Sequence, residues 1–187
     1  MEMRNETKNM KKKYECEVSS SLEYATIAHN EVDQVRKYTH EAYISHPIAV
    51  AGIVRTVSHT PEMVAAAHLH DVVEDTNRTM EDIRETFSKT VSDYVEHLTN
   101  PSKEYPELSR KVRKEMDRLS LADAPDDVHT IKVADLIHNA GSIIEYDRHF
   151  AKVFMVEMEA LLDTLVGADE VLMKRAREII EKYHSID

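Results

Sequence analysis

The stretch "PEMVAAAHLHDVVEDT", Pro61–Thr76, starts like a buried element and ends like an acidic one. Pro61 suits a first helical position, where a missing N–H is harmless. A solvated surface helix would not need the run Ala65, Ala66, Ala67, and a core helix would not carry Asp71, Glu74 and Asp75. On an α-helix, His70 pairs with Glu74 and Asp71 with Asp75 at a spacing of four, so these groups crowd one face. Bare like charges cannot share a dry face cheaply. A divalent cation resolves the conflict: it takes His and Asp as ligands and leaves the next turn's carboxylates to handle a water. The plain alternative is an ordinary acidic helix end facing solvent.

Further groups weigh against that alternative. "YISHP" offers His46, and "KVADLIHN" offers Asp135 with Asn139 one turn later. The helix around Asp135 is otherwise apolar at Val133, Ala134, Leu136 and Ile137. A lone Asp in such a helix is more often capped or paired than metal-bound. Together, however, these segments supply a mixed nitrogen and oxygen set suited to manganese, iron or another divalent ion rather than structural zinc.

The rest of the chain reads as helices. With only three Gly and five Pro in 187 residues, it lacks the turn residues that hairpins consume. "SSSLEYATIAHNEV" has capping Ser residues and an apolar side. "DQVRKYTHEAYISHP" has no clean period and is expected to be mostly loop. Pro47 at a first helical position opens "PIAVAGIVRTV". Thr79 and Asp82 form an approximate capping box at the start of "TMEDIRETF". "VSDYVEHL" follows a break near Ser88, "NPSKEYP" is a connection, and "ELSRKVRKEMDRLS" is a charged helix read as a solvated face. Asp126 or Asp127 caps "VHTIKVADLIHNAGSII". Two closing helices carry the stripes Phe150, Phe154, Met158, Leu161, Leu165 and Leu172, Ala176, Ile179, Tyr183. The expectation is an all-α, single-domain helical bundle over residues 18–187, behind an N-terminal arm at 1–17.

Composition excludes several functions. The single Cys16 rules out an internal disulfide framework and a Cys-based zinc cluster. A net charge of −11 argues against binding long nucleic acid through its backbone, and the absence of Trp argues against a base-stacking platform. No apolar run reaches the roughly 20 residues needed to span a bilayer. The start is charged with no apolar signal region behind it, so a cytoplasmic location is expected. The remaining histidines and Met155 and Met158 read as surface or core residues with ordinary partners.

"HLHDVVEDT" resembles the metal phosphohydrolases of the HD-domain type. It is most similar to the hydrolase domain of the RelA/SpoT alarmone enzymes and their small stand-alone relatives. The resemblance runs in order through "DQVRKYTHEAYISHPIAVAGIV", the His-Asp segment with "TMEDIRETF", and "IKVADLIHN", over roughly residues 20–145. It implies an all-α bundle in which His46, His70, Asp71 and Asp135 hold the metal. Glu74 and Asp75 would orient and activate the attacking water, and Arg36, Lys37 and Asn139 would meet the nucleotide. The implied activity is manganese-dependent removal of the 3′-pyrophosphate from guanosine tetra- or pentaphosphate, so the expected partner is a small anionic nucleotide. Oligomerisation is left open. The chain departs from the family's pattern at Leu136, where Arg or Lys is usual, and at "VDQ", where a Gly usually precedes the "RK" pair. Both departures bear on the substrate rather than on the metal chemistry. The alternatives are an HD-type enzyme of another nucleotide (a 5′-nucleotidase, a dNTP hydrolase or an NADPH 2′-phosphatase) and a catalytically idle fold that binds an alarmone or a protein.

Overall fold

In a computed structural model, the backbone is described for residues 2–185 and side chains from Cys16 onward. The chain runs through α1 (Glu2–Glu31), α2 (Ser45–Val54), α3 (Pro61–Leu69), α4 (Val72–Asp75), α5 (Met80–Thr86) and α6 (Lys89–Leu98). A 3-10 turn at Pro101–Glu104 leads to α7 (Arg110–Leu121), α8 (Asp126–Tyr146), α9 (Arg148–Leu162) and α10 (Glu170–His184). The all-α expectation holds: among the described residues the only extended pairing is a single bridge between Val35 and Ala42. The backbone of the expected arm at 1–17 continues into α1, and the side chains of residues 1–15 lie outside the described ones. No described helix is long and apolar enough to cross a membrane.

α3 sits at the centre because, past Glu62 in its first turn, it is almost wholly small and apolar. Every residue from Met63 to Leu69 is buried, and Ala65, Ala66 and Ala67 are fully so. A helix that is apolar all round belongs inside, and α1, α2 and α6 pack against this one. Its start is fixed by Thr60, whose hydroxyl accepts from the Met63 N–H, with Pro61 in the first position. α8 is the second central element, buried from Val128 to Ile131 and from Val133 to Ile137, and it packs on α2, α9 and α10 as well as α3. The Thr79–Asp82 capping box forms as expected.

Two local expectations are corrected, and two apolar stripes are refined. α2 begins at Ser45, so Pro47 falls in its first turn rather than at its first position; no intrahelical donor is lost there either. The N-cap of α8 is Pro125, and Asp126 and Asp127 lie in the first turn, where they complement the helix dipole. Along α9 the expected stripe largely forms: Met158 and Leu165 are buried in the core and Phe154 and Leu161 pack half-buried against it, while Ala151, Met155 and Leu162 extend it. On α10 the expected stripe forms, with Leu172 and Ala176 buried and Ile179 and Tyr183 half-buried against the core, and Ile180 is buried beside them.

The connection from 32 to 44 is a tight turn system in which Asp33 (φ 50°) and His40 (φ 57°) both adopt the left-handed conformation. Asp and His tolerate this region better than most residues. Asp33 therefore keeps, at some strain, a backbone shape that glycine adopts freely.

One buried histidine makes the bundle acid-sensitive. His68 is 2% exposed, and its Nδ1 lies 3.0 Å from Ser21 Oγ. Burial, with the charge of Arg55 adding to it, pushes its pKa down to about 4. The unfolded chain binds a proton at His68 below about pH 6.5, whereas the folded chain does so only below about 4. Stability contributed by neutral His68 is therefore complete above about 6.5 and is lost as pH falls from there to about 4, on the order of 3 kcal/mol. Urea midpoints should drop between pH 7 and pH 4.5, and His68→Gln should flatten that slope; an equal slope in the variant would assign it to other groups.

Candidate metal centre

The site forms where the end of α3, the start of α2 and the middle of α8 meet. His46 Nε2 lies 3.2 Å from His70 Nε2, 3.1 Å from Asp135 Oδ1 and 3.5 Å from Asp71 Oδ2. His70 Nε2 lies 3.0 Å from Asp71 Oδ2 and 3.8 Å from Asp135 Oδ1. His46, His70 and Asp135 are buried, and each offers a ligand atom to one common point. The four expected ligand residues therefore converge.

They do not converge through one continuous helix, as the spacing argument assumed. α3 stops at Leu69, α4 starts at Val72, and Asp71 has φ −102° and ψ −4°. Neighbouring residues of a straight helix do not face each other. The break turns the adjacent His70 and Asp71 onto one spot.

The donor chemistry fits a divalent cation. His70 Nδ1 is 2.9 Å from the Ala67 carbonyl, to which it donates. That fixes the tautomer and leaves the Nε2 lone pair aimed at the His46 Nε2. Two ring nitrogens and two carboxylates close around one point are a donor set that a divalent cation accepts. The other three residues are also held by neighbours, Tyr43 and Asn139 acting on the same carboxylate oxygens that face the histidines. Tyr43 Oη donates to Asp71 Oδ2 at 2.6 Å, the His138 and His46 Nδ1 atoms are 2.7 Å apart, and Asn139 Nδ2 donates to Asp135 Oδ1 at 2.6 Å. Lys132 Nζ pairs with Asp135 Oδ2 at 2.9 Å. Burial works against the Lys132 charge, but Asp135, Glu74 and Asp71 outweigh it and raise the pKa.

Glu74 and Asp75 lie one turn on and are tied to other segments. The Asn100 N–H donates to Glu74 Oε1 at 2.6 Å. Lys103 Nζ donates to Asp75 Oδ1 at 2.9 Å, and Gln34 Nε2 donates to Asp75 Oδ2 at 3.0 Å. Burial first, and then the Asp71 charge, raise the Glu74 pKa.

The three expected nucleotide contacts separate. Arg36 Nη2 donates to Asn139 Oδ1 at 3.1 Å, so Arg36, Asn139 and Asp135 form a chain into the cluster. Lys37 turns outward, 71% exposed, with its Nζ 3.1 Å from Tyr38 Oη and 3.5 Å from Asp147. All three still border one cavity of about 330 Å³, together with Tyr43, Ser142 and Phe150.

A larger cavity, about 850 Å³, opens on the other side of Tyr43 and Asn139. Asp71, Lys132 and Asp135 lie at its inner end, and Leu121, Leu136, Phe154, Met158 and Leu161 form an apolar wall. Its rim carries Arg110, Lys111, Lys114 and Arg118. The basic run on α7 is therefore more than a solvated face: it borders the cavity that Asp71 and Asp135 of the cluster line. Phe154 and Leu161 pack against the core and also line this cavity, which leaves them half-buried.

Sequence reasoning missed Tyr43, Lys132, His138, Gln34 and the loop Asn100–Lys103. Lys132 and His138 flank Asp135 and Asn139 and carried a usable spacing signal. The loop carried none.

A family model described as HD domain matches residues 21–156. A probable guanosine-3′,5′-bis(diphosphate) 3′-pyrophosphohydrolase of Synechocystis sp. is 39% identical over 112 residues, 59% of this chain and 15% of that protein. This chain thus spans a small part of that relative's length. The human guanosine-3′,5′-bis(diphosphate) 3′-pyrophosphohydrolase MESH1 is 35% identical over 130 residues, covering 66% of this chain and 69% of that one. A solved structure, described as a metazoan ortholog of SpoT that hydrolyzes ppGpp and plays a role in starvation responses, superposes with a TM-score of 0.79. That match is 26% identical and covers 89% of this chain and 94% of the other.

Proposed function

The chain belongs to the HD-domain family, and from that premise we propose that it is a metal-dependent 3′-pyrophosphohydrolase of guanosine tetra- or pentaphosphate. The observation that carries the reading is the buried cluster of His46, His70 and Asp135, with Asp71 Oδ2 3.0 Å from His70 Nε2 and 3.5 Å from His46 Nε2, beside a nucleotide-sized cavity that Asp71 and Asp135 line. These four residues would hold the ion, and Mn²⁺ suits their mixed imidazole and carboxylate set. The bound ion would supply a water of lowered pKa and a polarised phosphoryl oxygen. Glu74 takes the water's proton, and its raised pKa suits a group that holds a proton in passing. Asp75, fixed by Gln34 and Lys103, orients the same water. The water oxygen bonds to the phosphorus on the 3′ oxygen, and the bond from that phosphorus to the 3′ oxygen breaks. Pyrophosphate leaves, and the freed 3′ oxygen takes up a proton. Arg36 and Asn139 hold the nucleoside side of the substrate in the smaller cavity, and Lys37 meets it at the outer edge. Capture depends on these local groups, because the repulsion from the acidic surface is screened beyond roughly 8 Å at physiological salt. A cytoplasmic location accords with a nucleotide substrate.

The intact set of convergent residues and the Glu74–Asp75 pair weigh against an idle binding module. One observation favours a second reading: Leu136 places an apolar side chain on the cavity wall where the RelA/SpoT resemblance leads one to expect a cation. A substrate panel with Mn²⁺ decides between the two. It should compare guanosine tetraphosphate with a 5′-mononucleotide, a dNTP and NADPH. The alarmone should have the highest kcat/KM; preference for another member would leave the metal chemistry standing and replace the substrate.

A further inference from the structure

We propose that Lys132 is a catalytic residue of this site, its ammonium stabilising the phosphoryl charge that builds up as pyrophosphate is displaced. The proposal rests on the phosphohydrolase reading above. Lys132 is on α8, one turn before Asp135, and its side chain is 14% exposed. What remains open faces the large cavity, which Lys132 borders together with Tyr43, Asp71, Asp135 and Asn139. An ammonium has three protons to donate. The bond to Asp135 Oδ2 takes one, and among the described residues no second hydrogen-bond partner is within reach. The other protons are free for a phosphoryl group that enters this cavity beside Asp71 and Asp135.

A purely structural role explains this placement poorly. A buried ion pair adds little stability over a packed apolar residue. The apolar side chains beside it on α8, Val133 and Leu136, show that the helix accepts apolar residues here. Charge balance gives the lysine a reason to be present. Asp71, Glu74, Asp75 and Asp135 bring four negative charges, and a divalent ion with Lys103 offsets three of them. Lys132 closes the balance, so an incoming phosphate meets a neutral site and not an anionic one. As a fixed cation in a water-poor pocket, it acts where the charge develops.

The test uses Lys132→Gln, which keeps a hydrogen bond to Asp135 without the charge, and Lys132→Arg, which keeps the charge. Both are compared with wild type by thermal melting, Mn²⁺ affinity, binding of inorganic pyrophosphate to the Mn²⁺-loaded protein, and turnover of guanosine tetraphosphate. Lys132→Gln should hold Mn²⁺ within about tenfold of wild type, bind pyrophosphate at least about tenfold more weakly and lose about 10²-fold in kcat at saturating metal. Lys132→Arg should keep pyrophosphate binding and lose no more than about tenfold in kcat. The proposal is overturned if the Gln variant binds pyrophosphate as wild type does, if added Mn²⁺ restores its kcat, or if the Arg variant is equally impaired. If wild type itself leaves the alarmone untouched, the substrate reading fails, while the pyrophosphate comparison still decides the role of Lys132.

Discussion

Glu74→Gln should retain stoichiometric metal and lose turnover by about 10²–10⁴-fold, the range for removing a general acid–base group. The split follows from geometry. Glu74 is 6% exposed and lies beside the cluster without joining it: Oε1 accepts from the Asn100 N–H at 2.6 Å, and Oε2 is 3.6 Å from Lys103 Nζ. A glutamine oxygen can still accept from Asn100, so the loop stays in place. What disappears is the atom that takes the proton. Metal content by elemental analysis and kcat on guanosine tetraphosphate together check the prediction. Unchanged kcat would remove Glu74 from the mechanism, and lost metal would make it a ligand.

Asp135→Ala should fail on both metal and stability. Asp135 faces both ligand histidines, accepts from Asn139 and pairs with Lys132. Truncating it removes one ligand and leaves a buried ammonium without its carboxylate, at a cost of about 3–5 kcal/mol. Urea unfolding of the metal-free protein reads that cost, and calorimetry with Mn²⁺ reads the lost ligand. Asp71→Ala separates the two effects. Asp71 is 19% exposed and pairs with no lysine among the described residues, so its loss should abolish tight metal binding with a smaller effect on stability. If both variants retain one tightly bound metal, the ligand assignment is wrong.

The sequence made the fold legible wherever apolar patterning and capping spoke together. The Ala run of α3, the Thr79–Asp82 box and the lone Asp135 in an apolar helix each carried a local physical signal, and the structure places each where that signal points. Helical spacing brought His70, Asp71, Glu74 and Asp75 to attention for a reason that is only partly right. The helix breaks between Leu69 and Val72, so the cluster depends on a backbone turn that periodicity does not encode. The apolar stripe of α9 was legible as core, but not that Phe154 and Leu161 also line a cavity. Tertiary partners were out of reach. That Asn100 and Lys103 hold Glu74 and Asp75 follows from how the 3-10 turn lies over α4, and no spacing in the chain states it. Asp33 and His40 hold left-handed backbone in the turn at 32–44, which the sequence read only as loop.

The most direct test of the account is hydrolysis of guanosine tetraphosphate in ¹⁸O-water with Mn²⁺, with the products read by ³¹P NMR and mass spectrometry. The account predicts equimolar pyrophosphate and guanosine diphosphate, with one ¹⁸O in the pyrophosphate and none in the nucleotide. Label in the nucleotide, release of single phosphate, or no metal-dependent turnover would contradict it.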